Sequence, residues 1–124
     1  MSGPPYISVI DDDDSVRESL ESLIRSFGFA VEVFPSAEEF LNSGHLRDMR
    51  CLVLDVRMPG MNGLELQQQL LASHSGIPVI FMTAHGDQVA RTQALKNGAV
   101  DYLLKPFSEE SLLNAIRSAL AREV

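Results

Sequence analysis

Short apolar runs alternate five times with segments of helical spacing along this chain. That alternation restricts the fold more than any single motif. Residues 6–10, 30–34, 50–54, 79–82 and 101–104 are short and rich in β-branched or aromatic side chains, as strands are. Between them lie amphipathic stretches with start and stop signals. Val16, Leu20, Leu23, Ile24 and Phe27 fall at helical spacing over 15–27, with Ser15 and Glu18 spaced as a capping box and Gly28 as a stop. Ser36-Ala37-Glu38-Glu39 opens a short helix running toward Gly44. Asn62-Gly63 precedes Leu64, Leu66, Leu70 and Leu71. Asp87 caps a segment ending at Gly98, and Ser108 opens one carrying Leu112, Leu113, Ile116 and Leu120. Five such β/α units predict one open parallel sheet with helices on both faces.

The runs also share a manner of ending. The first stops at Asp11 and Asp12, the third at Asp55, the fourth at Thr83 and the fifth at Lys105. In open α/β sheets, ligands bind beyond the carboxyl ends of the strands, near a switch in strand order. Three carboxylates, a hydroxyl and an ammonium are therefore expected on one edge. A carboxylate such as Asp55, fixed by a strand yet open to solvent, is suited to attack phosphorus and become an aspartyl phosphate. Asp11 and Asp12 suit Mg²⁺, which takes a few carboxylate oxygens and keeps several waters. Asp13 and Asp14 read instead as solvated acids favouring the first helix N-terminus. Thr83 can hydrogen-bond a phosphoryl oxygen, and Lys105 can neutralise charge there or pair with Asp55 beforehand. A cis bond at Lys105-Pro106 is a way to aim that lysine inward.

The remaining chemistry narrows the reading. A chain of 124 residues, 45% of them hydrophobic, fits one domain spanning 1–124. No apolar stretch nears bilayer length, and Met1 to Pro5 lacks the features of a signal peptide. A net charge of −7 without a basic stripe argues against DNA binding by this domain alone. The single cysteine, Cys51, reads as a small buried apolar residue and allows no intrachain disulfide, in keeping with a cytoplasmic protein. His45, His74 and His85 have no metal-ligand spacing, and the first two read as surface loop residues. Tyr102 on its own reads as a strand residue with a wet hydroxyl.

Several segments together resemble the receiver domain of bacterial two-component response regulators. They are Val9-Ile10-Asp11-Asp12-Asp13, Leu54-Asp55-Val56-Arg57-Met58-Pro59-Gly60-Met61-Asn62-Gly63, Met82-Thr83-Ala84 and Asp101-Tyr102-Leu103-Leu104-Lys105-Pro106-Phe107. Arg57-Met58-Pro59 is similar to the FixJ type, which carries a C-terminal helix-turn-helix domain. The resemblance implies a doubly wound (βα)₅ fold of the CheY-like, flavodoxin-like kind, with strand order 2-1-3-4-5. It implies that Asp55 accepts a phosphoryl group from a sensor histidine kinase. Mg²⁺, with Mn²⁺ or Ca²⁺ able to substitute, is implied on Asp12, Asp55 and the Arg57 carbonyl, with Asp11 acting mostly through water. Thr83 and Lys105 would contact the phosphoryl group, and Tyr102 would be the switch aromatic. Arg57 and His85 would tune phosphoryl lifetime. Output is implied through the fourth helix, fifth strand and fifth helix, by phosphorylation-dependent homodimerisation. A DNA-binding domain is expected beyond residue 124, joined by a linker starting near 122.

Two other classes compete. A receiver acting alone in a phosphorelay needs no effector domain. A Mg²⁺-dependent phosphatase with an aspartate nucleophile would want a second acid two residues after Asp55, where Arg57 stands, and a cap insertion for which the chain has no room. The expected protein is thus a signalling phosphoacceptor, catalysing only its own phosphorylation and dephosphorylation.

Overall fold

The computed structural model describes residues 6–44, 49–73 and 75–122. Its elements alternate as β1 (Tyr6–Ile10), α1 (Asp14–Ser26), β2 (Ala30–Phe34), α2 (Ala37–Asn42), β3 (Cys51–Asp55), α3 (Gly63–Ala72), β4 (Val79–Thr83), α4 (Gln88–Lys96), β5 (Asp101–Leu104) and α5 (Glu109–Ala121). All strand pairs are parallel, in the order β2-β1-β3-β4-β5. This is the expected doubly wound fold. The chain moves from β1 outward to β2, then returns across β1 to β3, so the switch in strand order falls between β1 and β3.

Strand alternation divides the core into two layers. Ile7, Val9, Val53, Ile80 and Met82 pack against Leu20 and Ile24 of α1 and Leu112, Ile116 and Ala119 of α5. Ile10, Leu52, Leu54 and Phe81 pack against α2, α3 and α4 through Phe40, Leu66, Leu70, Ala90 and Ala94. β3 and β4 are buried along their whole length, as central strands covered on both faces must be. Cys51 is buried in the first layer as expected, and burial pushes its thiol up to about 12.

The helix signals hold for four helices and need correction in the first. Ser36, Asp87 and Ser108 cap their helices as expected, and Asn62, expected only to precede α3, caps it in a reciprocal box with Glu65. In α1, however, Asp13 is the cap rather than Ser15. Its Oδ1 accepts from the backbone N–H of Ser15 and Val16, and the Ser15 hydroxyl also donates to it. A carboxylate is the better acceptor at a helix N-terminus, so Ser15 becomes a donor and the cap falls two residues earlier.

Candidate functional site

Asp11, Asp55, Thr83 and Lys105 emerge at the carboxyl ends of β1, β3, β4 and β5 and do converge. Asp55 and Thr83 are the last residues of their strands, and both are buried. Asp11 is 1% exposed, and each of its polar atoms is engaged. Its N–H donates to the Phe34 carbonyl at 3.2 Å. Its carbonyl accepts from Arg17 Nη1 at 2.7 Å, its Oδ1 from the Asp13 N–H at 2.9 Å and its Oδ2 from Lys105 Nζ at 2.8 Å. Asp12, next in the chain, is exposed.

Carboxylate oxygens of Asp11, Asp12 and Asp55 lie within 4.8 Å of one another. Lys105 Nζ reaches Asp55 Oδ1 only at 3.8 Å, so the expected Lys105–Asp55 pair exists but is the longer of two. The shorter partner, Asp11, is held rigidly by its other hydrogen bonds. The Lys105-Pro106 bond is cis, and the Lys105 N–H donates to the Thr83 carbonyl at 2.7 Å, tying the two strand ends together.

Asp55 carries the electrostatic signature of the cluster. Its carboxyl is pushed up to about 6, first by burial and then by the charge of Asp11. Asp12 acts in the same sense, while Lys105 and the Arg57 N–H pull the other way. One ammonium thus leaves three carboxylates incompletely neutralised. An all-oxygen donor set with excess negative charge fits a hard divalent cation.

The surrounding loops place the other expected residues. Thr83 Oγ1 accepts from the His85 N–H at 3.1 Å, while the His85 side chain is exposed. Arg57 turns its exposed guanidinium toward Asp87, 3.9 Å away, rather than into the acidic cluster. Tyr102 departs from its sequence reading. It is 7% exposed, and its hydroxyl is buried without a hydrogen-bond partner. The ring packs beside Phe81, with centroids 6.3 Å apart, in the layer containing Ala90 and Ala94 of α4. An edge strand leaves a side chain wet only if no helix covers it, and here α4 does. Burial, then the Asp87 charge, raises the phenol's pKa. His45 and His74 lie outside the described residues.

Three further residues shape the site. Arg17 binds the Asp11 carbonyl. Gly63 donates its N–H to the Val56 carbonyl at 2.9 Å, and its Cα lies against Asp55. Glu38 reaches the β3–α3 loop from α2. The glycine had a cue in Asn62-Gly63, but Arg17 and Glu38 had none, since both act across the fold.

A doubly wound sheet with an acidic cluster at its switch point and Thr83 and Lys105 beside it defines a receiver-type protein. Residues 7–117 match the family described as the response regulator receiver domain, and the chain belongs to that family. It is 52% identical over 114 residues to the response regulator protein TodT of Pseudomonas putida, covering 92% of this chain and 50% of that protein. It is 48% identical over 116 residues to the transcriptional regulatory protein FixJ of Azorhizobium caulinodans, covering 94% and 55%. The chain therefore spans about half the length of these curated relatives. Among solved structures, the response regulator StyR superposes with a TM-score of 0.89 at 51% identity, covering 96% of this chain and 60% of that one. FixJ-N superposes at 0.88 with 39% identity, covering 100% and 98%. Among the described residues no helix is long and apolar enough to cross a membrane.

Proposed function

We propose that this chain is the phosphoacceptor module of a bacterial cytoplasmic two-component system, and that Asp55 is the acceptor. The observation that carries this is the placement of Asp55 at the end of β3, with its carboxylate within 4.8 Å of those of Asp11 and Asp12 and 3.8 Å from Lys105 Nζ. An Asp55 oxygen attacks the phosphorus of a phosphohistidine on a sensor histidine kinase. The new P–O bond forms as the P–N bond breaks, and the histidine leaves and takes up a proton. Asp12, Asp55 and the Arg57 carbonyl would hold Mg²⁺. Asp11, both of whose carboxylate oxygens are already engaged, would act through water. The ion supplies charge neutralisation at the transferring oxygens. Lys105 leaves Asp11 to meet the phosphoryl group, and Thr83 turns its hydroxyl toward it, giving up the His85 N–H.

The same movement supplies a switch. A phosphoryl group adds charge and acceptor oxygens at one point. Withdrawing Thr83 changes the support beneath the β4–α4 loop and gives the unpartnered Tyr102 hydroxyl reason to change rotamer. The face it alters is α4–β5–α5, about 86–120, where Val89 is 76% exposed and Leu104 52% exposed. Apolar residues exposed on one face suit phosphorylation-dependent homodimerisation. Relatives about twice as long, FixJ among them called a transcriptional regulatory protein, support a DNA-binding effector domain in the full-length protein.

Incubation with Mg²⁺ and acetyl phosphate is expected to add the mass of one phosphoryl group to the wild type and none to Asp55→Ala. Sedimentation of the same samples is expected to show a larger species only where the group is present. Modification of Asp55→Ala to the wild-type extent would overturn the assignment. We also assign Arg57 and His85 to the path of the hydrolytic water, two residues beyond Asp55 and Thr83. Replacing either with Ala is expected to change the decay rate of the phosphorylated form several-fold, and unchanged decay in both removes them from that role.

A further inference from the structure

We infer that Glu38 is a positioning residue: from α2 it holds the β3–α3 loop in the shape that presents Arg57 and frames Asp55. The inference rests on the phosphoacceptor reading above. Glu38 Oε2 accepts the backbone N–H of Met61 at 2.9 Å. The loop is shaped to receive it. Gly60 has φ +73°, and a Cβ there would lie 2.8 Å from that same oxygen. A side chain at 60 would therefore both strain the backbone and displace the carboxylate.

Both sides of this contact stand on firm ground. Glu38 sits in the first turn of α2, which is anchored by the fully buried Ala37 and Phe40 and capped by Ser36. The far end of the loop is fixed by the Asn62–Glu65 capping box and by Gly63 N–H on the Val56 carbonyl. Met58 is buried, but Pro59 and Gly60 are exposed. Glu38 pins the exposed crest between these anchors. Its carboxyl is held below the usual range, chiefly by the Met61 N–H, as an acceptor engaged in its charged form would be. At the near end, Arg57 lies two residues past Asp55 and carries the carbonyl assigned to the metal. A crest free to move would let that carbonyl wander. The cost would fall on cation affinity rather than on the chemistry of the loaded site.

Three measurements on the full chain test this: amide exchange at Met61, Mg²⁺ titration followed by NMR shifts, and acetyl phosphate modification against Mg²⁺ concentration. Glu38→Ala is expected to speed Met61 exchange and to raise the half-saturating Mg²⁺ about fivefold, the scale of one hydrogen bond. The rate at saturating Mg²⁺ is expected to stay at the wild-type value. Glu38→Gln, which keeps an acceptor oxygen, is expected to recover most of the affinity. Equal Mg²⁺ midpoints for wild type and Glu38→Ala would overturn the inference. So would an equal deficit in Gln and Ala, which would mean a long-range charge effect. A wild type that takes up neither Mg²⁺ nor a phosphoryl group would instead overturn the phosphoacceptor reading, while Met61 exchange would still report on the Glu38 contact.

Discussion

Asp55→Asn is expected to abolish phosphoryl acceptance and, in metal-free buffer at pH 7, to stabilise the fold by about 3 kcal/mol. The second effect follows from the raised pKa. The Asp55 carboxyl moves from 3.8 to about 6 on folding, through burial and the charges of Asp11 and Asp12. About two pKa units correspond to about 3 kcal/mol between the two protonation states. A carboxyl whose folded-state pKa exceeds its unfolded value binds its proton more tightly in the folded protein. Its contribution to stability is therefore complete below pH 3.8 and is lost as the pH rises through about 6. Asparagine keeps the shape without the charge, so it escapes that loss. The stability gap between variant and wild type is expected to be near zero at pH 4 and full at pH 7. Urea titrations across that range, with a chelator present, measure it. Adding Mg²⁺ is expected to narrow the gap by stabilising the wild type alone, since a ligand stabilises the state that binds it. A gap independent of pH would mean that the cluster's charge is not what destabilises the site. Only the ionised Asp55 is a nucleophile, so a bound cation that favours the charged carboxylate also favours the reactive form.

This tension between site and stability bears on how much could be read beforehand. Asp11, Asp55, Thr83 and Lys105 were legible because each follows an apolar run, and parallel pairing brings such ends together wherever the pattern repeats. The cap of α1 was misread because consecutive aspartates leave the choice to local geometry, and Asp13 rather than Ser15 met the free N–H groups. Tyr102 was misread because an alternating strand does not reveal whether a helix will cover it. Gln67 was passed over among the leucines of α3. It is 3% exposed, and its Nε2 donates to the Ala94 carbonyl at 3.0 Å, joining α3 to α4. The Glu38 and Arg17 contacts depend on the path of the chain between elements, which no local pattern carries.

Gly63→Ala is the second substitution with a large expected effect, and it acts through space alone. Gly63 opens α3, where alanine has the better intrinsic propensity by roughly 1 kcal/mol. Against that, a Cβ at 63 would lie 2.3 Å from the Asp55 carbonyl oxygen and 3.1 Å from both the Val56 Cα and Phe81 Cε1. The nearest of these is backbone at the end of a central strand buried along its length, so no flexible side chain can yield. Overpacking of this kind costs about 1 to 3 kcal/mol or more, and the backbone clash puts this case at the upper end. The net result is expected to be a loss of about 2 kcal/mol or more in urea unfolding. The relief available is to push α3 away from β3, which moves Val56 and Arg57 with it. Phosphorylation by acetyl phosphate is therefore expected to fall by more than the unfolded fraction explains. Gly86→Ala is the matched control, since its nearest neighbour is the Leu104 side chain at 3.9 Å. That variant is expected to keep wild-type stability. If Gly63→Ala matched it in both stability and phosphorylation, the close approach of α3 to Asp55 would not be what fixes the acceptor.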